Sequence, residues 1–470
     1  MPTDERWFNR ARKIVGDTGV LTDAADLEPY GHDEYSVDTY NRLPLAVIRP
    51  SDENQVASVV RLCADTGVPL TARGGGTGLA AACVPSPNGV VLSFERLKQV
   101  VEVDPANFSI TVQAGATLHE IYQAADEHGL FFPPHPGDES AMAGGMVATN
   151  AGGARAVKYG SIKRFLLGLQ VVLADGETVE LGGKFIKSST GYNLLDLMVG
   201  SEGTLGVITR VTLRLLPRPG SIQSLVAPFR TVKGAIESVQ AVLMGGIIPF
   251  AVEFVEHAAI SCAERLLDKT WPARQGTASL LLMLDGTDEE TVLRQAEAVA
   301  GILEGQDVLD VLIADQKAKQ EEILEIRSAI WEGLREGTAE LFDVCVPRSE
   351  IAGHVAFVHE LEERYDVQLP TYGHAADGNV HSNYMRLRIE DGKLGAEIPG
   401  WREKHAEVRR EIFDDVIRRR GVVSGEHGIG LAKRDYLSRN LSARSIAAMK
   451  AVKKALDPQG ILNPGKVFEL

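Results

Sequence analysis

The chain has four cysteines in 470 residues, Cys63, Cys83, Cys262 and Cys345, and none of them forms a CxxC pair or a Cys/His cluster. That scarcity excludes a chain-internal iron-sulfur centre, a cysteine-rich zinc motif and a disulfide framework, and a reducing compartment is expected. No apolar run approaches the roughly 18 residues that a membrane span requires. The N-terminal MPTDERWFNRARKIVG has no apolar stretch of signal-peptide length. These absences lead to the expectation of a cytoplasmic protein whose membrane contact, where there is any, is peripheral. Basic residues are also in deficit, 49 Lys and Arg against 64 Asp and Glu, for a formal charge of -15. Such a balance argues against nucleic acid and anionic membrane as partners, so an anionic substrate must meet local positive charge. Neither the GxGxxG spacing of a Rossmann fold nor the GxxxxGK(S/T) of a P-loop occurs in the first glycine-rich loop.

What the chain does contain is glycine-rich loops and one stretch with two histidines. Its length implies about two to four structural units. Residues 371–385, TYGHAADGNVHSNYM, read as a β-hairpin closed by Asp377 and Gly378 in a two-residue type I′ turn, which sets His374 directly opposite His381. Asn383, two residues further on, shares their face. Two neutral imidazoles on one face suit a borderline cation such as Zn²⁺, which takes a third protein ligand and keeps a position for substrate. In VVSGEHGIG, Glu426 can supply that carboxylate and His427 can stand beside the metal as a base. The alternative at this point is a set of ordinary polar loop residues with satisfied histidines.

Taken in order, residues 1–42 read as a short amphipathic helix and polar loop. LAVIRP is a strand, the helix after it starts at Ser51 and ends near Gly67, and VPLTA is a second strand. This strand runs into RGGGTGLAAA, residues 73–82, where the glycines leave backbone N–H groups able to close on a phosphate and Arg73 can add charge. Thr117 and Glu120 form a capping-box pattern. Gly144, Gly145, Gly152 and Gly153, in HPGDESAMAGGMVATNAGGARAVKYG, describe a backbone packed close to something flat, which a bound cofactor explains. Asp175-Gly176 marks a hairpin turn.

The motifs PLTARGGGTGLAAACVP, GGMVATNAGG, LGLQVVLADGE and GSEGTLGVIT resemble the FAD domain of the vanillyl-alcohol-oxidase superfamily, the PCMH-type fold. GHAADGNVH, GEHGIG and DPQGILNPGKVF resemble its metal-containing D-2-hydroxy-acid dehydrogenase branch, which includes D-lactate and D-2-hydroxyglutarate dehydrogenases and the flavin subunit of glycolate oxidase. The likeness runs from about residue 40 to the end. It implies an α+β chain: an N-terminal helical segment (1–42), a PCMH-type FAD-binding domain of two α+β subdomains (43–218), a ferredoxin-like cap carrying the metal hairpin (219–425), and a C-terminal helical segment returning to the FAD domain (426–470). Arg73, Gly74, Gly75, Gly76, Thr77, Gly78 and Leu79 would wrap the FAD pyrophosphate. Pro136, Gly137, Ser140, Gly144, Gly145, Thr149, Asn150 and Gly152 would line the flavin and its ribityl chain. Glu202, Gly206 and Ile208 would meet the adenosine side or the strand beneath it, and Asn463 would reach the isoalloxazine. No histidine occurs in residues 73–82, so the FAD is expected to be non-covalent, with His135 as the remaining position for a covalent link.

In the second half, two β-α-β arms spanning 221–255 and 277–315 predict a ferredoxin-like antiparallel sheet with helices on one face. The helix KQEEILEIRSAIWEGLREG places Arg327 and Trp331 one turn apart. By resemblance Arg327 holds the substrate carboxylate, Arg348 is a second candidate, and Trp331 and Asn383 are further substrate contacts. The family pattern H-x-G-D-G-N-x-H is met except that Ala376 replaces the first glycine. The implied activity is oxidation of a D-2-hydroxy acid to the 2-keto acid. His374, His381 and Glu426 hold a divalent metal (Zn, or else Mn or Fe), His427 takes the hydroxyl proton and FAD takes the hydride. The electrons then pass to an external acceptor: an electron-transfer flavoprotein, a quinone, a partner subunit or oxygen. A homodimer is compatible with this reading. The competing readings are a transferase like the alkyl-dihydroxyacetone-phosphate synthases, which carry an HHH-type run where this chain has GEHGIG, and a catalytically idle flavin subunit.

Overall fold

The structure is a computed structural model that describes residues 5–35, 40–314 and 316–470. Residues 1–4 and 36–39 of the expected N-terminal segment, and residue 315 at the end of the last expected cap strand, lie outside the described residues. The chain divides into two units: Met1–Gly152, Ser161–Arg218 and Glu426–Leu470 form the first, and Gly153–Gly160 with Pro219–Gly425 the second. The glycine-flanked segment 153–160, expected with the flavin half, thus belongs to the second unit. There Lys158 and Tyr159 bind the Asp285 carboxylate, the tyrosine hydroxyl donating at 2.9 Å.

The first unit contains two main sheets and a two-stranded pairing of Leu130–Phe131 with Leu216–Pro217. One has the order Val20–Leu21, Val47–Ile48, Val90–Ser93, Leu70–Arg73, the last three strands parallel. Parallel strands are covered on both faces and read as apolar runs, and these are almost wholly buried. The helix Glu53–Thr66 that leads into Leu70–Arg73 is capped by Asp52, whose side chain accepts from Gln55 N at 2.9 Å; the expected cap, Ser51, instead donates its hydroxyl to Gln55 Oε1. Gly67 ends the helix in the left-handed region (φ +66°). The second sheet is antiparallel, ordered Val100–Asp104, Ser109–Gln113, Val207–Arg214, Leu166–Val172, Thr178–Gly182. The capping box at Thr117 and Glu120 is present in both directions. The C-terminal tail returns beside Leu70 in a single parallel bridge at Leu462, with Leu70 N donating to Ile461 O at 2.8 Å and Asn463 N to Leu70 O at 2.8 Å.

The second unit is built on an antiparallel sheet of seven strands, beside a two-stranded pairing of Leu387–Glu390 with Lys393–Glu397; the seven are labelled in chain order: β1 Ser221–Phe229, β2 Ala251–Glu256, β3 Ala278–Gly286, β4 Leu312–Ala314, β5 Thr338–Cys345, β6 Thr371–His374 and β7 Asn379–Met385. Its order is β4-β1-β3-β2-β6-β7-β5. The first four strands with helices Val232–Met244 and Glu289–Glu304 reproduce the ferredoxin-like arrangement, and β6, β7 and β5 extend it from the β2 edge. Helices are not confined to one face. His257–Leu267, Lys317–Ser328 and Ile330–Arg335 bury Ile260, Ile323, Ile326, Ile330 and Leu334 against Val226, Val255, Leu281, Tyr372 and Met385. The single helix expected over 319–337 is therefore two, Lys317–Ser328 and Ile330–Arg335, broken at Ala329 (φ -79°, ψ 0°).

The helix Ile351–Tyr365 steadies the entry to β6. Glu256 accepts from Thr371 N at 3.0 Å and faces His359 Nε2 at 2.7 Å, while Glu362 accepts from Leu369 N at 2.5 Å. Burial pushes the Glu362 carboxyl up to about 7, the Leu369 amide opposing it, and the hydrogen bond to Glu256 raises His359 above its ordinary value against the effect of burial. Both groups bind protons more tightly folded than unfolded, so their contribution is full at low pH and is lost as pH rises through their folded values. Wild-type stability should fall between about pH 5 and pH 8. Glu362→Gln, which keeps an acceptor for Leu369, should be less pH-dependent by about 1–2 kcal/mol in chemical denaturation at the two pH values. Parallel pH curves would refute this role for Glu362.

Candidate functional site

The hairpin of the second unit closes through four residues, not two. His374 pairs with Asn379 and His381 with Tyr372, leaving Ala375–Gly378 as the loop. The tighter turn is lost because Ala375 N is committed to Val252 O of the neighbouring strand at 3.1 Å and Asp377 Oδ1 accepts from Asn379 N at 3.1 Å. A register offset of two keeps every side chain on its face. His374 and His381 therefore remain together as diagonal neighbours, their rings 5.5 Å apart at the centroids and a nitrogen of each within 4.8 Å of the other.

The registers align two rows across one face of the sheet. One row reads Leu281, Glu253, His374, Asn379, Cys345, and the next reads Ser279, Val255, Tyr372, His381, Asp343. Each histidine thus has a buried carboxylate near it in its own row. Glu253, 2% exposed, binds His374 Nδ1 through Oε1 at 2.5 Å and accepts Arg327 Nε at Oε2 at 3.0 Å, with Nη2 on the same oxygen. Burial pushes the Glu253 carboxyl up, but Arg327 and His374 outweigh it and the net displacement is downward, so the group is held as a carboxylate. Asp343 accepts from Asn379 Nδ2 at 2.8 Å, from Ser424 Oγ at 3.0 Å and from Gly425 N at 3.1 Å. It anchors the residues immediately before Glu426 and His427.

Neither carboxylate belongs to a motif that the sequence displays. Glu253 lies 121 residues from His374, in the apolar strand AVEFVE. The available signal is a charge inside a run that is otherwise fit for a core, at Glu253 and again at Asp343 in LFDVC.

Other expected residues are placed differently. Arg327 faces Glu253 with its Nε/Nη2 edge and lies over the Tyr372 ring with Cζ 5.1 Å from the centroid. Trp331 is half-buried on the separate helix Ile330–Arg335. Arg348 is exposed on the turn Arg348–Glu350, where its carbonyl accepts from Ile351 N, and its side chain makes no ion pair or hydrogen bond among the described residues. Asn383 shares the histidine face but is 0% exposed, its Oδ1 accepting from Thr338 Oγ1 at 3.3 Å, which makes it a residue of the interior.

In the first unit the glycine segments come together. A Cβ on Gly74 would lie 3.3 Å from Met142 Cβ and one on Gly75 3.2 Å from Ser140 O, whereas at Gly137 and Gly145 it would meet nothing within 4 Å. Thr77, Gly78, Leu79 and Pro136 are half-buried beside them. Bare backbone facing open space fits a flat ligand with a phosphate linkage. Gly144 and Gly206 serve packing, since Cβ atoms there would meet Ala114 Cβ at 2.8 Å and Val171 Cγ1 at 2.5 Å. Ile208 is buried in the strand. Thr149 Oγ1 is turned back onto Gly145 O at 3.1 Å, and Asn150, at φ +55°, accepts from Ser161 Oγ at 2.9 Å.

Three of the residues expected at the cofactor are spent on the protein. The Arg73 guanidinium donates to His32 O at 2.6 Å, Pro29 O at 2.9 Å and Cys83 Sγ at 3.0 Å, beneath the loop whose phosphate it was expected to meet. Asn463 Nδ2 donates to Ala82 O at 2.9 Å and Glu202 O at 2.7 Å. Glu202 accepts from Ile429 N and Gly430 N, each at 2.7 Å, and thereby fixes the GEHGIG loop. Burial holds its carboxyl above the usual range despite those amides and the nearby Lys433 and Lys466. At the start of that loop a Cβ on Gly152 would come 3.1 Å from Glu426 Oε2, so the glycine leaves room for the carboxylate. His427 Nε2 stands 3.8 Å from Glu426 Oε1.

Comparison with known proteins accounts for both units. Residues 218–467 match the C-terminal domain of FAD linked oxidases and residues 44–182 an FAD binding domain. The chain is 41% identical over 421 residues to the D-lactate dehydrogenase of Archaeoglobus fulgidus, covering 90% of each chain. It is 35% identical to the glycolate oxidase subunit GlcD of Bacillus subtilis, covering 92% of each. The solved structure of p-cresol methylhydroxylase superposes with a TM-score of 0.80 over 99% of this chain and 98% of that one, at 17% identity, a likeness of fold.

Removing the Glu202 anchor should loosen the GEHGIG loop. Glu202→Ala leaves two amides without an acceptor, at about 1–3 kcal/mol each, and Glu202→Gln keeps one oxygen and should lose about half as much in urea unfolding. Equal stability of wild type and Glu202→Ala would show that the loop does not depend on this carboxylate.

Proposed function

Because this chain belongs to the FAD-linked oxidases, we propose that it is an FAD-dependent dehydrogenase oxidising a D-2-hydroxy acid of the lactate, glycolate or 2-hydroxyglutarate kind to the 2-keto acid. The observation that carries the reading is the pair of buried imidazoles, His374 and His381, on one sheet face with Arg327 tied to the same carboxylate as His374. The names of the relatives, a D-lactate dehydrogenase and a glycolate oxidase subunit, supply the substrate class.

We assign non-covalent FAD to the glycine segments of the first unit, where it supplies the hydride acceptor. A divalent metal, Zn foremost with Mn or Fe as alternatives, would be held by His374, His381 and Glu426 and would supply a Lewis acid for the hydroxyl oxygen. The donor set fits such an ion. Glu253 fixes His374 Nδ1 and leaves Nε2 to bind, and two imidazoles with one carboxylate suit a catalytic site. Glu426 is assigned on chain continuity: it follows Gly425, whose amide is bound to Asp343. Arg327, with Nε and Nη2 on Glu253, presents Nη1 to the substrate carboxylate and so orients the α-hydrogen. The imidazole of His427 accepts the hydroxyl proton.

The chain has no iron-sulfur motif, so we assign the electrons to an external acceptor: an electron-transfer flavoprotein, a quinone or a partner subunit. All four cysteines are free thiols, which supports a reducing compartment and the cytoplasm as location. Among the described residues no helix is long and apolar enough to cross a membrane. A homodimer and peripheral membrane attachment belong to the same proposal and are to be tested by sedimentation.

Anaerobic mixing of the FAD- and metal-loaded protein with D- and L-2-hydroxy acids should bleach the flavin with a D-acid only. Chelation should abolish the bleaching and Zn²⁺ or Mn²⁺ restore it, and His427→Ala should slow it by roughly 100-fold or more. A loaded protein that no 2-hydroxy acid bleaches would overturn the proposal.

A further inference from the structure

We propose that Glu253 is a positioning residue that couples the histidine side of the site to the arginine side, so that metal affinity and grip on the substrate carboxylate depend on one buried side chain. This rests on the functional reading above and goes beyond it.

The geometry makes Glu253 the joint of a closed circuit. Its Oε1 binds His374 Nδ1 and its Oε2 binds Arg327. Arg327 lies over Tyr372, Tyr372 is the cross-strand neighbour of His381 with the rings 5.5 Å apart, and His381 returns to His374 at 5.5 Å. Of these five residues Glu253 alone carries negative charge, and each of its oxygens serves a different branch. The Oε1 contact sets which imidazole nitrogen of His374 is presented to an ion. The Oε2 contact fixes the plane of a guanidinium whose remaining nitrogen is presented to substrate. A carboxylate accepts at both oxygens, which no neutral isostere does. In Glu253→Gln one branch meets an amide NH₂, so a donor faces a donor and that branch opens. Glu253→Asp keeps both acceptors on a shorter stem.

The test uses the full-length FAD-loaded protein. Zn²⁺ affinity is measured without substrate, by competition with a chromophoric chelator, for wild type, Glu253→Gln, Glu253→Asp, Arg327→Met and the Glu253→Gln/Arg327→Met double variant. Steady-state kinetics with D-lactate then separate KM from kcat. Glu253→Gln should bind Zn²⁺ roughly 10–100-fold more weakly and raise KM, with FAD content unchanged. Glu253→Asp should recover part of both. Arg327→Met should itself weaken Zn²⁺ binding in the otherwise wild-type protein and add nothing when Glu253→Gln is already present, a non-additivity that general loosening does not produce. Should Glu253→Gln not fold, the Glu253→Asp and Arg327→Met proteins carry the comparison. A Zn²⁺ affinity within twofold of wild type in Glu253→Gln, or additive effects in the double variant, would overturn the coupling and leave the proposed activity standing. A wild-type protein that takes up no Zn²⁺ would overturn the reading of the site beneath it.

Discussion

A carboxylate buried in a sheet is tolerable only while both of its oxygens are met, and the second unit is arranged around that constraint. Removing one partner of such a group leaves an uncompensated charge, at about 3–5 kcal/mol. Glu253 and Asp343 occupy adjacent rows of one face, and each meets its partners through residues that the register of the sheet delivers. A four-stranded ferredoxin-like core has no place for them both. The addition of β6, β7 and β5 at the β2 edge brings His374 beside Glu253 and His381 beside Asp343. On the same face, Val226, Leu281 and Val255 are sealed by helices that bury Ile323, Ile326 and Ile330. One half of the face is thus a core, and the other half is polar because its charges are paired.

The first unit meets a related constraint with main chain. Its glycine segments offer amides and bare backbone toward a ligand, and glycine-rich backbone loses much entropy on ordering. Arg73, Glu202 and Asn463, expected at or beneath the ligand, are side chains that hold that backbone in place. Lys453 does the same for the tail: its buried ammonium bonds Thr204 O at 2.7 Å, Leu462 O at 2.8 Å and the Asp457 carboxylate. A motif residue can therefore mark a cofactor site by shaping the loop.

Local features of this kind are legible in the sequence because their causes are local. A capping box, a left-handed Gly67, the Asp175-Gly176 hairpin and the β-α-β order all follow from neighbours within a few residues, and the one cap that is displaced moves only from Ser51 to Asp52. The histidine hairpin is legible as to face and not as to register. Its loop length is set by Ala375 bonding Val252, a residue of another strand far back in the chain, and the offset of two keeps the face. Glu253 and Asp343 are hidden for the same reason in stronger form, since a partner brought in from a distant strand leaves no spacing to read. Arg327 and Trp331 read as one helix because the apolar period runs on through the break at Ala329. The period reports which side is buried and carries no information on whether the axis is continuous.

The adjacency of Glu426 and His427 has a physical reading of its own. The boundary between the units falls at Gly425 and Glu426. On one side, Ser424 and Gly425 are bound to Asp343 of the second unit. On the other, Ile429 and Gly430 are bound to Glu202 of the first. Only Glu426, His427 and Gly428 stand between the two buried carboxylate anchors, and Gly428 lies at φ +86°. In the proposed chemistry the separation of carboxylate and imidazole is set within this segment, by two adjacent residues whose flanking amides are each held by a buried carboxylate.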